Sequence, residues 1–487
     1  MATENNQNEL ETGSVGKLLF KLAAPAIVAQ LVNVLYNIVD RMFIGRMANG
    51  GVAMAGVGLS FPIITLISAF AALIGMGGGP LAAIKMGEKD NDGAEKIMGN
   101  AVAALVLLAV VITCIFQIYK EPILWMFGAS NNTISYAVDY IQIYLAGTIF
   151  VMIALGLNPF ITTQGFAKTG MITVAIGAVL NIVLDPILIF GLGMGVKGAA
   201  LATIISQGIS AIWVLVFLGG KKTILRIRMK NVRINPKIVG GMMALGVSPF
   251  IMQSTESLVL ISLNTKLQMY GGDIAVAAMT VMSSIMQMIT LPILGITQGA
   301  QPITSYNYGA KNFDRVRKSF KLCLISCLAF TLVATSACLM FPAFFVKIFN
   351  SDPQLIEFTS WAMRIYFVGM LVFGIQIACQ QTFLALGKAK ISFSCVEGER
   401  YLLEQAITKI KQDIECELDY KDDMAMLSIV GVGMINNSGV SGKFFSALSK
   451  AGVNFYQVTT SEISVSCSIG RNDINKAVDV VAREFNL

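Results

Sequence analysis

Histidine is missing from all 487 residues. That removes imidazole general bases, His-ligated metals and every His-activated Ser or Cys nucleophile. Charge is scarce as well, at 13% of residues, where a soluble globular domain carries about 25%. No Gly-rich P-loop of the required spacing occurs, so direct use of ATP is excluded. The eight cysteines are scattered and include no close ligand-like pair. Cys323 and Cys327 share one face of an apolar run and read as small buried hydrophobes. The net charge of +7 is spread between apolar runs rather than gathered in one patch, so nucleic acid is not an expected partner. Residues 1–16 are polar and the first apolar run is too long for a signal-peptide core, so no cleavable leader is expected.

What the chain does hold is apolar length. Hydrophobic residues make up 55% of it, and the mean hydropathy is +0.69. Ten runs are long enough to cross a hydrocarbon core of about 30 Å as helices. They lie near 18–40, 53–79, 96–118, 134–156, 167–190, 196–218, 239–263, 274–302, 317–341 and 357–386. Their Gly and Ala content favours close helix packing. Lysines 17, 21, 85, 89, 96 and 168, the basic stretch 221–237 and the cluster 311–321 fall in the N-terminal tail and alternate loops. The positive-inside bias puts that tail and the even-numbered loops in the cytoplasm. After ten spans the rest of the chain is again cytoplasmic. Residues 391–487 carry nine basic and thirteen acidic residues, against 36 and 29 in the whole chain. The tail is therefore a different material and reads as a separate domain.

The apolar part repeats itself, and two pairs of segments keep one common offset. "GMGGGPLAAIKMGEKDNDGAEKIMGN" (75–100) matches "GITQGAQPITSYNYGAKNFDRVRKSFKL" (295–322) in its Gly-rich span end, Pro, turn and charged helix start. "EPILWMFGASNNTISYAVDYIQIYLAG" (121–147) matches "FPAFFVKIFNSDPQLIEFTSWAMRIYFVG" (341–369). The stretch Thr163–Lys168 has its expected counterpart in Gln381–Lys388. Six spans per half is the natural unit, with the halves related by an axis along the membrane normal. The second half stops after four.

Polar side chains inside the spans are few. Asp40 ends "NVLYNIVD", with Asn33 and Asn37 before it at helical spacing. Asn181 and Asp185 share a face of span five, and Thr203 and Gln207 share one of span six. Glu256 lies in span seven. Intramembrane carboxylates seldom face lipid and mark ion or substrate paths. Two of them with Asn and Thr oxygens suit a hard cation or a proton. The bland alternatives are a solvated Asp40–Arg41 helix end, a kink at Asp185–Pro186 and a structural anchor at Glu256. Asp139 reads as a structural or solvated residue near a loop.

With these residues in view, residues 14–390 resemble the MATE family of multidrug and toxic-compound exporters. "YNIVDRMFIGR", "GEKDNDGAEKIMGNA", "QGFAKTGMITVAIGAVLNIVLDPILIF", "GVKGAALATIISQ" and "PILGITQGAQPITSYNYGAKNFDRVRKSFK" carry the resemblance. It implies an all-α polytopic membrane protein of two pseudo-symmetric bundles with alternating access, the second bundle incomplete against the family's twelve spans. It implies a multi-pass protein of a bacterial or archaeal cell membrane that exports small organic, often cationic, compounds in exchange for inward H⁺ or Na⁺. No cofactor and no enzymatic step are implied. The family's N-lobe cation site carries over as Asp40, Asn181, Asp185 and Thr203. Asn33, Asn37, Gln207, Glu256 and Gln376 are cleft candidates. Where some members have an acid in span ten, this chain has Gln376 and Gln380.

The tail reads as a small α+β domain. "MAMLSIVGVGM", "VNFYQVTTS" and "EISVSCSIG" are strand-like. "GVSGKFFSALSKAG" and "NDINKAVDVVAREF" are helical, the latter apolar at Ile474, Ala477, Val478, Val481 and Phe485. Together these segments resemble the C-terminal ACT region of aspartate kinase. The resemblance implies an amino-acid effector at Met434, Asn436, Gly439, Val440, Asn454 and Thr460, and dimerisation through ACT domains. The expected organisation is a polar tail (1–16), an N-lobe (17–218), a basic linker (219–238), an incomplete C-lobe (239–390), a fragment of a first ACT domain (391–423) and an ACT-like domain (424–487). Two readings of the junction stay open. One is a sensor–transporter fusion. The other is an accidental joining of a truncated, non-transporting exporter to a regulatory fragment.

Overall fold

The computed structural model describes residues 9–47, 50–348, 353–387, 424–430, 440–460 and 464–485. The chain divides into two compact units, residues 1–403 and 404–487. The first unit is helical and the second holds a three-stranded sheet.

The N-lobe comprises α1 (Val15–Gly45), α2 (Gly50–Gly58), α3 (Phe61–Gly87), α4 (Asn91–Met126), α5 (Ile134–Ala146), α6 (Thr148–Thr163), α7 (Ala167–Pro186) and α8 (Val196–Gly219). The C-lobe comprises α9 (Pro236–Gly309), α10 (Phe313–Met340), α11 (Pro342–Lys347), α12 (Pro353–Tyr366) and α13 (Phe373–Ala385). Among the described residues eight helical stretches are long and apolar enough to cross a membrane. The bent pair α5–α6 adds a ninth candidate, and the apolar arm Pro236–Met252 opens α9.

Two expectations about single spans change. The run at 134–156 is not one rod: α5 and α6 meet at an angle of 59°. The break is at Gly147, where a Cβ would collide with the Ile204 side chain of α8. The second case is α9, which is helical over 74 residues. A straight helix would carry Tyr306 about 96 Å from Met242. Yet Met242 presses on Gly77 and Tyr306 on Gly87, both in α3. So α9 runs out and returns as two arms, which correspond to the two runs seen in the sequence.

The two lobes meet along α1 and α3 of one and α9 of the other. Gly246 backs onto Leu73, Gly295 onto Ile27 and Gly299 onto Ala23, each with no room for a Cβ. Glycine is required there because backbone approaches backbone. Hydrogen bonds gather at the end of this seam that carries Lys89 and Lys311. The Leu10 carbonyl accepts from Asn307 Nδ2 and Arg315 Nη2, both at 3.1 Å. Glu11 pairs with Lys89 at 2.6 Å and accepts from the Tyr306 hydroxyl at 3.2 Å.

The internal repeat shows in the backbone. Among the described residues, Lys89 (φ 64°) and Lys311 (φ 56°) are the non-glycine positions with left-handed backbone, and they are equivalent positions of the two halves. Each precedes a helix N-cap, Asp90 accepting from Gly93 N and Asn312 from Arg315 N. Gly165 (φ 85°) and Gly387 (φ 69°) keep the same offset, as do the helix-interior Pro80 and Pro302. With the positive-φ glycines aligned, Gln164 lies opposite Leu386.

Gln164 has a role of its own in the N-lobe. Its Oε1 accepts from Thr223 Oγ1 at 2.7 Å and from the amides of Ile224 and Leu225 at 2.8 Å. The buried Glu95 accepts from the Arg226 amide and pairs with Arg228 at 2.7 Å. Asn100 Oδ1 accepts from Asn235 N at 2.6 Å. The linker after α8 is therefore pinned to the N-lobe rather than loose.

In the second unit β1 (Met424–Val430), β2 (Phe455–Thr460) and β3 (Ser464–Gly470) pair antiparallel in the order β1–β3–β2. With α14 (Val440–Lys450) and α15 (Ile474–Phe485) they enclose a core of Phe444, Leu448, Val453, Cys467, Ile469, Ala477 and Val481. Val478, expected inside, is 46% exposed, because it lies one residue, about 100°, round α15 from the buried Ala477. The expected fragment of a first ACT domain (391–423) lies outside the described residues.

Candidate functional site

Three N-lobe helices bring the intramembrane polar residues together. Asp40 sits one turn before the end of α1 and is buried. Asn181 and Asp185 lie on one face of α7 and are buried. Pro186 ends the α-helical pattern of α7, and the chain continues as a π-turn over Ile187–Gly191. Proline supplies no N–H, so a change of helix type at this point is expected. Gly198 then lets α8 lie against the Leu188 backbone of that turn, and Thr203 of α8 comes to face Asn181.

The contacts are short and polar. Asn181 Nδ2 donates to Asp185 Oδ1 and to Thr203 Oγ1, both at 3.3 Å. The Thr203 hydroxyl donates to the Ala199 carbonyl at 3.1 Å. The Asp40 and Asp185 carboxyls are near enough to interact electrostatically. Asn181 Oδ1 makes no hydrogen bond to a protein group, leaving an amide oxygen beside the acids. The Asp185 carboxyl accepts from Asn181 through Oδ1.

The sequence reading missed three tyrosines. Tyr36 lies one turn before Asp40 on α1. Tyr140 and Tyr144 are buried on α5, with ring centroids 6.3 Å apart. Tyr140 lies near Thr203 and Asp40. Their signal was the four-residue spacing within "DYIQIYLA", but periodicity alone does not say that α5 faces this cluster.

Other candidates do not join it. Gln207 is half-buried one turn beyond Thr203, and Asn33 and Gln376 are exposed. Gln380 donates weakly to Ser248 Oγ at 3.3 Å within the C-lobe. The side chains of Asn37 and Glu256 lie outside the described set, as do residues Met434, Asn436 and Gly439 and the side chains of Val440 and Thr460. Asn454 is exposed before β2. Asp139 pairs with Lys197 at 3.3 Å, half-exposed. No group of three or more His, Cys, Asp or Glu residues suited to a metal occurs among the described residues.

The family model MatE matches residues 25–187 and 249–396. The chain belongs to the MatE family. This MATE chain is 27% identical over 365 residues to the multidrug export protein MepA of Staphylococcus haemolyticus, covering 75% of the chain and 80% of that relative. MepA of Staphylococcus aureus is 24% identical over the same shares. A MATE transporter solved in a straight conformation superposes with a TM-score of 0.73 at 25% identity, over 78% of this chain and 85% of that one. A MOP-superfamily transporter from Pyrococcus furiosus gives 0.72 at 25% identity, over 78% and 85%. The ACT domain model matches residues 427–485. The protein is thus a polytopic MATE-type membrane transporter body followed by an ACT domain.

Proposed function

We propose that the chain is a secondary active exporter of small organic cations, driven by inward movement of H⁺ or Na⁺ through the N-lobe acidic cluster. The observation that carries this reading is the clustering of the buried Asp40 and Asp185 with the Asn181 amide and the Thr203 hydroxyl. Oxygen ligands of this kind suit a hard monovalent cation, and facing carboxyls suit a proton. Asp185 and Asp40 would hold the coupling ion, Asn181 and Thr203 would add neutral oxygens, and Tyr140 would orient the Thr203 hydroxyl. Export follows if ion release on one side of the membrane repacks α1 and α7, because these helices carry the acids. The lysine-rich end of the bundle would face the cytoplasm.

The test is ethidium efflux from cells that lack their own exporters, comparing the intact chain with Asp185→Asn at equal membrane levels. Energy-dependent efflux that is lost in the variant supports the reading. Equal efflux from both, with the same dependence on pH and Na⁺, overturns it.

A further inference from the structure

The internal repeat permits a position-by-position comparison of the lobes, and it uncovers a bare seat. The motif Ile143-Tyr144-Leu145-Ala146-Gly147 recurs, at the offset that relates Lys89 to Lys311, as Ile365-Tyr366-Phe367-Val368-Gly369. In the N-lobe, α8 packs on α5 and α6. There the Ile204 side chain of α8 occupies the space above Gly147. At Gly369 nothing lies within 4 Å of where a Cβ would be. Tyr144 is 5% exposed and Tyr366 is 44%. Ile153 is 8% exposed and its counterpart Ile375 is 39%. Ile161 is 0% exposed and its counterpart Phe383 is 61%. The bare positions lie at the end of α12 (Tyr366), in the 3-10 turn Phe367–Val372 (Gly369) and on α13 (Ile375 and Phe383), and three of the four carry large apolar side chains.

The following chain does not offer a matching cover. Residues 388–423 carry fifteen charged side chains and no apolar run of membrane-spanning length. We infer that the α12–α13 face built on Tyr366, Gly369, Ile375 and Phe383 is a docking seat for an apolar two-helix membrane hairpin of the α7–α8 kind, supplied by another polypeptide. The repeat states the chemistry of the occupant. Its second helix sets a β-branched side chain on Gly369, as Ile204 does on Gly147, and covers the ring of Tyr366. The gain is burial of apolar surface and close packing over a glycine, the usual basis of helix association in lipid.

The test uses the full chain in membranes, with a photo-reactive phenylalanine replacing Tyr366, Phe383 or, as a lipid-facing control, Val333 on α10, which is 72% exposed. The probe is a tagged Ala167–Gly219 segment of this chain, the α7–α8 pair itself. The expected result is adducts with the hairpin at 366 and 383, none at 333, and loss of both adducts in Gly369→Trp. Nothing lies within 4 Å of a Cβ there, so this variant should fold, and its membrane level is the check. No hairpin adduct, equal adducts at 333, or adducts with a second copy of this chain instead would each overturn the inference. The readout is seating, so it stands or falls separately from efflux.

Discussion

Lys89 and Lys311, equivalent positions of the internal repeat, adopt the same left-handed backbone, each one residue before the N-cap of a membrane helix. A side chain is disfavoured in that conformation, by about 1–2 kcal/mol relative to glycine. Both turns therefore carry a backbone cost to start α4 and α10. Lys311 is exposed, so Lys311→Gly should raise stability by about 1 kcal/mol or less once the greater freedom of unfolded glycine is counted. Lys311→Val should lower it. Thermal unfolding in detergent measures both, and a stabilising valine would refute the account.

Glu11 and Lys89 bridge the N-terminal segment and the α3–α4 turn. The hydrogen bond from Lys89 holds the Glu11 carboxyl below its ordinary 4.5, against some desolvation, with the Lys89 charge and the Tyr306 hydroxyl adding to the effect. The same bond raises Lys89 above its ordinary 10.5. A lowered acid stabilises the fold fully above its unfolded value and loses that contribution as pH falls through the folded one. A raised lysine loses its contribution as pH rises through the folded one. The pair should therefore contribute a plateau between about pH 4.5 and 10.5. Thermal midpoints of the protein and Glu11→Gln should converge below that window and differ modestly within it.

Gln164 offers one buried oxygen to three donors in the linker. Gln164→Ala strands those donors and should cost about 2 kcal/mol or more. Gln164→Glu keeps the acceptor and should cost less. Protease cutting between residues 219 and 238 reports the release of the linker directly, and equal cutting of all three forms would contradict its pinning.

Gly240 and Gly246 both lie near the start of α9. A Cβ at 246 would strike the Leu73 backbone, whereas nothing lies within 4 Å of one at 240. Gly246→Ala should destabilise by about 1–3 kcal/mol through overpacking of the lobe seam. Gly240→Ala should be neutral or stabilising, because alanine favours helix. Folded yield and thermal midpoint separate the two cases.

Asp40→Asn should abolish coupled efflux while leaving insertion intact, as Asp185→Asn should. Thr203→Val should weaken coupling rather than remove it, since it deletes one neutral oxygen and keeps both acids. Efflux measured against stepped external pH and Na⁺ distinguishes the outcomes. Full activity in Asp40→Asn would remove the acid pair from the mechanism.

The sequence alone determined that this chain spans a membrane, that its body is built twice, and that Asp40, Asn181, Asp185 and Thr203 are polar residues where polarity is costly. Those conclusions rest on local quantities: run length, hydropathy and spacing along one helix. They also made the four-residue pairing of Asn181 with Asp185 legible. Tertiary structure decided which helix faces which. It placed Asp40 of α1 against Asp185 of α7, and Tyr140 of α5 over Thr203 of α8. It broke one expected span at Gly147 and tied the linker to Gln164. A helical period states which residues share a face, but the partner of that face is chosen by close packing over residues far apart in the chain. The glycines at the lobe seam and the uncovered Gly369 became interpretable only when their neighbours were known.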